Sequence, residues 1–277
     1  MRLLKWDISI KMLVFPNAKI NLGLFITEKR TDGFHNLESL FMPIPLCDIL
    51  EVTPSTEETT LVCTGESNDI PTEKNIVYKA WKLLQEEYGI GHVKIHLHKI
   101  IPSGAGMGGG SSDGTFMLKA LNELFQLNLS IHRLEELSAH LGSDCPFFVQ
   151  NKAALISGRG EVVNPVDFNL VGKFLVVVNP GIHISTAQAF QGIQPKPSNF
   201  DWMKLIESQE LNETLKNDFE PQVFNLFPEI EKIKEKLLKS GALYSSMSGT
   251  GSTVYGIFNE KPEIEWSENY FNRTFFL

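Results

Sequence analysis

Five glycines fall within residues 104–110 of this chain, and two serines, Ser111 and Ser112, follow at once. Glycine reaches positive φ at little steric cost and carries no Cβ, so successive N–H groups in such a run can turn inward and line a concave anion site. The flanks fit that chemistry. Residues 92–100 alternate as a strand, with Val93, Ile95 and Leu97 on one face, and Phe116, Ala120, Leu121, Leu124 and Phe125 recur at helical spacing. Strand, glycine loop and helix N-terminus in that order make a phosphate-binding arrangement. No Gly-Lys-Ser/Thr follows the glycines, which excludes a P-loop of the Walker kind. Gly104, Gly106 and Gly109 match G-x-G-x-x-G, but a dinucleotide fold needs a second strand, ending in an acid, soon after the helix. Instead Ser130 opens another helix, with Leu134, Leu137 and Leu141 on one stripe and Gly142 just past its end. The V-A-I-K strand, H-R-D loop and D-F-G of protein kinases are missing.

Further segments carry groups that could act on a ligand. Residues 18–26 alternate, with Ile20, Leu22, Leu24 and Ile26 on one face and Lys19, Asn21, Gly23 and Phe25 on the other. From the strand pattern alone Lys19 belongs on a solvated face, since lysine is normally exposed. Phe34 and His35 follow the turn signal of Asp32 and Gly33, and by themselves read as a buried ring and a satisfied imidazole. Asp144 lies between Gly142, which closes the preceding helix, and Pro146, which stops its continuation. Amid Phe147, Phe148 and Val149 its carboxylate needs a partner, and taken alone it reads as a helix N-cap. Residues 246–258 read as a small-residue turn followed by a strand, serving as a hairpin or as a loop packed on phosphates or on the first glycine loop. His92, His96 and His98 share a strand face with Lys94; no acid or cysteine completes a ligand set, so no metal is assigned there.

With 277 residues, 42% apolar and 21% charged, the composition is that of a globular protein long enough for two cores. A net charge of −8 and the lack of a Lys/Arg cluster argue against a nucleic-acid partner. The charge of a phosphate ligand must then be met locally, by a few lysines, a divalent cation and backbone N–H groups. Cys47, Cys63 and Cys145 show no C-x-x-C spacing and read as passive thiols in a reducing compartment. No stretch approaches the ~18 apolar residues of a membrane span, and residues 1–12 lack the apolar core of a secretion signal, so the expected location is cytoplasmic. Residues 1–11 read as an extension ahead of the ordered pattern, which begins at Leu13.

Together these segments resemble the GHMP small-molecule kinases. Residues 102–112 supply the family's P-x-x-x-G-x-G-G-S-S loop in the lengthened form PSGAGMGGGSS. Residues 142–148 are similar to its G-[AS]-D-x-P-[VF]-F, and residues 247–251 to its M-S-G-[ST]-G. Within the family the chain looks most like the branch acting on cytidine-diphosphate-methylerythritol, because residues 16–22 fit P-x-A-K-x-N-L and residues 30–37 fit R-x-D-G-[YF]-H-x-L. The resemblance runs from about residue 13 to 258.

It implies an α+β protein of two domains, 1–158 with a ribosomal-protein-like βα fold and 159–277 with a smaller ferredoxin-like fold, and an active site in the cleft between them. It implies ATP and Mg²⁺, the nucleotide held by Pro102, Ser103, Gly104, Ala105, Gly106, Met107, Gly108, Gly109, Gly110, Ser111 and Ser112 together with Asn75 and Lys99. Ser111 or Ser112 would also help to hold the ion. Asp144 becomes the general base and Lys19 its cationic neighbour, while Asn21, Phe34, His35, Thr186 and Phe190 form the acceptor pocket. There the aromatic ring stacks on cytosine and the histidine hydrogen-bonds it. Many members carry tyrosine where this chain has Phe34, so the π-face is kept and any phenol bond is lost. The implied reaction is phosphorylation of the 2-hydroxyl of this small-molecule acceptor, a step of non-mevalonate isoprenoid synthesis. The enzyme would be a monomer or homodimer with no membrane partner. A relative acting on homoserine, mevalonate or a sugar would share the glycine loop and Asp144 without needing Phe34 and His35. A non-catalytic nucleotide-binding protein would keep the loop without turnover.

Overall fold

The structure is a computed structural model that describes residues 11–66, 70–212 and 214–277, so all of the expected N-terminal extension except Lys11 lies outside the described residues. The chain opens with β1 (Met12–Val14), β2 (Asn17–Lys29), β3 (His35–Cys47), β4 (Ile49–Ser55) and β5 (Thr60–Gly65), then α1 (Ile76–Tyr88) and β6 (His92–Lys99). Helices α2 (Gly109–Leu124), α3 (Ile131–Ala139) and α4 (Phe147–Gln150) follow the glycine loop. Next come β7 (Ala154–Ser157), β8 (Val162–Pro165), β9 (Phe174–Asn179), α5 (Thr186–Phe190) and α6 (Trp202–Ser208). The chain closes with α7 (Glu220–Leu226), α8 (Pro228–Lys239), β10 (Tyr244–Met247), β11 (Val254–Phe258) and β12 (Phe271–Phe276).

Two compact units form, and their pieces interleave in sequence. The first takes the described residues up to Ala18 with Leu46–Ser103 and Gly109–Asn151; the second takes Lys19–Pro45, Gly104–Gly108 and Lys152–Leu277. The second unit therefore includes most of β2 and β3 and the tip of the glycine loop, and is not the small contiguous block that the later strands and helices alone suggest.

In the first unit the sheet order is β1-β4-β6-β5, antiparallel apart from the parallel β5–β6 pair. Val93, Ile95 and Leu97 of β6 turn inward as their alternation predicts, and pack with Leu50 and Val52 beneath Val77, Leu84, Leu118 and Leu121 of the helices. The side chain of Asn75 caps α1 by accepting from the Val77 N–H at 3.1 Å, and Gly89, at φ 65°, ends the helix. Ser130 caps α3 as its sequence position suggests. That helix stops at Ala139 with His140 still right-handed, and Gly142 does not take a positive φ. The expected glycine cap is thus replaced by a tightened last turn, in which the His140 N–H reaches Leu137 O at 3.2 Å and the Leu141 N–H reaches Ser138 O at 2.9 Å.

In the second unit one sheet runs β2-β3-β7-β8 and another β10-β11-β9-β12. Leu24 and Ile26 join a core with Val176, Val178, Phe219, Val223, Ile230 and Leu237. The polar face of β2 is buried as well as the apolar one, so the alternation separates two interiors, not core from solvent.

Candidate active site

The tip of the glycine loop alternates in hand: Gly104, Gly106 and Gly108 have φ of 66°, 78° and 69°, and the residues between them do not. Its carbonyls are drawn to one side. Ala105 O accepts from the Thr253 N–H at 3.4 Å, Gly106 O from Ser248 Oγ at 2.9 Å, and Met107 O from the Lys19 N–H at 2.9 Å. None of the N–H groups of residues 104–108 donates to a protein acceptor among the described residues. A loop with tethered carbonyls and unspent N–H groups is a nest for an anion. The later glycine segment is the β10–β11 hairpin turn and also a brace for this loop. It is braced in turn: Asn217 Nδ2 donates to Met247 O and Gly249 O, and Asn179 Nδ2 to Thr253 Oγ1. The fit is close at Gly106, where a Cβ would lie 2.0 Å from Ser248 O.

Lys19 is 3% exposed, which overturns the solvated-face reading of β2. Its ammonium donates to Asn21 Oδ1 at 2.6 Å, lies 3.4 Å from Gly106 O, and sits 4.2 Å from the centre of the Phe41 ring. Lysine has no acceptor, so Asn21 must turn its oxygen to it and its Nδ2 to Ser39 Oγ, at 3.0 Å. Ser39 passes the network on to Gly23 O, and the Tyr255 hydroxyl donates to Asn21 O at 2.6 Å. The lysine is therefore held in place beside the glycine loop.

In the first unit, Ser111 and Ser112 stand on the opening turn of α2, and the turn that carries Asp144 is docked beside them. Thr115 Oγ1 lies 2.9 Å from Cys145 O, and a Cβ on Gly142 would lie 3.9 Å from Ser111 Oγ. Asp144 is half-buried. It is not an N-cap of α4, because Pro146 holds that position. Burial pushes the Cys145 thiol up to about 11 and raises those of Cys47 and Cys63, in keeping with passive thiols. Ser112 Oγ is buried with no hydrogen-bond partner. An orphaned hydroxyl at the start of the helix suits a phosphate oxygen or a Mg²⁺ ion, which takes few protein ligands beside phosphates. No group of three His, Cys, Asp or Glu among the described residues could hold a metal on its own.

Lys99 and Asn75 are both spent inside the first unit. Lys99 Nζ is hydrogen-bonded to Asp48 and lies 2.6 Å from Asp113 Oδ2. Asp48 also accepts from the N–H groups of Ile100 and Ile101, whereas Asp113 Oδ1 is buried with no partner. Burial, outweighing the attraction of Lys99 and aided by the charge of Asp48, pushes the Asp113 carboxyl up to about 8. For Lys99 burial works against the charge, but the two carboxylates outweigh it and raise the ammonium's pKa. This triad ties β6 to the first turn of α2. Sequence reasoning missed both acids: Asp113 stood in plain view after the serines, where acids favour a helix start, but nothing marked Asp48.

Of the acceptor-pocket candidates, His35 and Phe190 meet, their rings stacked at 4.7 Å and 22°. Phe219 meets Phe190 edge-on at 4.8 Å. Burial, and then the charge of Lys29, lower the His35 pKa, leaving a neutral ring with one donor and one acceptor. Phe34 is not the buried ring expected from its type: it is 54% exposed. Thr186 is the exposed first residue of α5, set by the capping box of Ser185 and Gln188. The β6 histidines bond outward, His92 to Thr59 and both His96 and His98 to Thr64.

Comparison with known proteins matches residues 75–152 to the GHMP kinases N terminal domain and residues 201–270 to the GHMP kinases C terminal domain. A 4-diphosphocytidyl-2-C-methyl-D-erythritol kinase of Bacteroides fragilis (strain YCH46) is 48% identical over 91% of this chain and 94% of its own length. One from Thermodesulfovibrio yellowstonii is 41% identical over 92% of both chains. The crystal structure of a 4-(cytidine 5'-diphospho)-2C-methyl-D-erythritol kinase superposes with a TM-score of 0.76 at 33% identity, covering 88% of this chain and 89% of the other. A homoserine kinase from Cytophaga hutchinsonii shares the fold, with a TM-score of 0.66 at 17% identity over 99% of this chain and 95% of its own.

Proposed function

The chain belongs to the 4-diphosphocytidyl-2-C-methyl-D-erythritol kinases of the GHMP kinase family, and from that premise we propose that it transfers the terminal phosphate of ATP to the 2-hydroxyl of 4-diphosphocytidyl-2-C-methyl-D-erythritol. The product belongs to isoprenoid precursor synthesis by the non-mevalonate route. The observation that carries the reading is the glycine loop, with its carbonyls tethered and its N–H groups unspent. Those N–H groups and the start of α2 hold the phosphates of ATP. Asp144 takes the proton of the acceptor hydroxyl as that oxygen bonds to phosphorus and the bond to the bridging oxygen of ADP breaks. Lys19, fixed by Asn21, supplies positive charge to the transferred group. Ser112, with Ser111, would hold Mg²⁺, which neutralises charge on the phosphate oxygens when bound; the orphaned Ser112 hydroxyl supports this. Asn75 and Lys99 act on the nucleotide through the fold, one capping α1 and the other tying β6 to α2.

Phe34 stacks on the cytosine, and neutral His35, backed by Phe190, pairs with its edge, with Thr186 on the far wall. In sequence, the two matched segments lie either side of the expected boundary near residue 158, although the compact units interleave across it. No helix among the described residues is long and apolar enough to cross a membrane. We place the enzyme in the cytoplasm as a monomer or homodimer, with no nucleic-acid partner in view of its net charge of −8.

The test is a panel of acceptors with Mg-ATP, following ADP and phosphorylated product. Cytidine and uridine diphosphate-methylerythritol should differ in kcat/KM by up to ~10⁴, because a site built for one hydrogen-bond pattern leaves groups unpaired with the other. Equal values would remove the cytosine pocket, and turnover of homoserine or mevalonate alone would replace the acceptor.

A further inference from the structure

We propose that Arg159 is a specificity-determining residue that sets the plane of the Phe34 ring for the pyrimidine base of the acceptor; the inference rests on the assignment of Phe34 to the cytosine pocket. The turn that carries Phe34 is well fixed in its backbone. The Arg30 N–H donates to Phe34 O at 2.9 Å, the Phe34 N–H to Asp32 Oδ1 at 3.1 Å, and the Arg30 guanidinium clasps Asp32. None of this holds the ring, which stands 54% exposed and has no polar atom by which it could be tethered.

What meets the ring is Arg159, whose guanidinium carbon lies 4.9 Å from its centre. Arg159 belongs to the tight turn, residues 158–161, that joins β7 to β8. That turn is anchored to β3 by the Leu37 N–H donating to Gly158 O at 2.8 Å. Glu161 steadies the arginine, accepting from its N–H at 2.6 Å, with Oε1 3.7 Å from its Nε. Two turns far apart in sequence thus bring a planar cation onto an exposed phenyl ring. A guanidinium over one face of the ring leaves the other open to a heteroaromatic base. A ring already held in plane loses less freedom when the base stacks, so more of the stacking energy appears as affinity.

Steady-state kinetics test this at saturating Mg-ATP with 4-diphosphocytidyl-2-C-methyl-D-erythritol varied, using Arg159→Ala, Arg159→Lys, Phe34→Ala and the Phe34/Arg159 double alanine variant. Arg159→Ala should raise the acceptor KM roughly 2- to 5-fold, the scale of an exposed cation–π contact, with kcat and the ATP KM held. In the Phe34→Ala background the same change should have no further effect. Arg159→Lys should restore only part of the loss, because an ammonium has no plane. An unchanged or lowered acceptor KM in Arg159→Ala, an undiminished penalty in the Phe34→Ala background, or full rescue by lysine would each overturn the proposal. A Phe34→Ala variant with the parental acceptor KM would bring down the cytosine-pocket assignment together with it.

Discussion

Replacing Gly110 with alanine is expected to move two observables in opposite directions. Gly110 is the exposed second residue of α2, its φ is not positive, and a Cβ built there meets no heavy atom within 4 Å. A methyl group costs no packing and narrows the unfolded chain's freedom, a gain of about 0.4–1 kcal/mol. For a chain of this size that is a rise in Tm of roughly 1–4 °C. On the proposed reading, open space at the first turn of α2 is also where phosphate oxygens approach the N–H groups that start the helix. Weakening one charge-assisted backbone bond there costs about 1.5–3 kcal/mol, roughly 10- to 100-fold in affinity for ATP. Thermal unfolding without nucleotide and calorimetry with Mg and a non-hydrolysable ATP analogue read the two effects separately. A raised Tm with unchanged affinity would place the phosphates elsewhere, and a lowered Tm would contradict the open packing at this position. Neighbouring Gly109 is a poorer probe, since a Cβ there already lies 2.9 Å from Ile101 Cγ2, and valine would strain the core before it met any ligand.

Asp144→Asn should lower kcat by ~10²-fold or more while the ATP affinity stays near its parental value, the usual scale for losing a general base; full turnover would remove Asp144 from proton transfer. Asp113→Asn tests the buried triad through pH. Because the folded protein raises this carboxyl to about 8, while an unfolded aspartate titrates near ~3.9, its contribution to stability is complete below about pH 4 and is lost as pH rises to about 8. Asparagine removes that loss, so the Tm difference between variant and parent should grow in the variant's favour between pH 5 and 9; a constant difference would contradict the raised value.

The elements around the glycine loop were legible because they are local. Val93, Ile95 and Leu97 announce an inward strand face, Ser130 a helix start, and the glycines alternate in φ as an anion nest needs. What stayed hidden was supplied by distant segments. Nothing near Lys19 says that Ser39, Phe41, Ser248 and Tyr255 will bury its side of β2, so exposure was the natural reading of a lysine in an alternating strand. Lys99 read as a nucleotide contact from its match to the family, and Asp48, fifty-one residues away, carries no motif to warn of the pairing. Phe34 looked buried because its type usually is, whereas its backbone is fixed by a turn that leaves the ring outside. Gly142 failed as a helix terminator because a tightened last turn ended α3 first.

The tethers on the glycine loop also set an order of events at the ribosome. Met107 O takes its donor from Lys19, made long before the loop, but Gly106 O and Ala105 O wait for Ser248 and Thr253. Those residues emerge roughly 150 positions later, which at about 5–20 residues per second is on the order of 7–30 s of synthesis. During that interval the strand, the glycines and the following helix already exist as sequence, yet two of the carbonyls that must be turned aside have nothing to turn them. From the glycine loop to Ser248 and Thr253 the nascent chain is without a finished anion nest, and gains one only when those residues emerge.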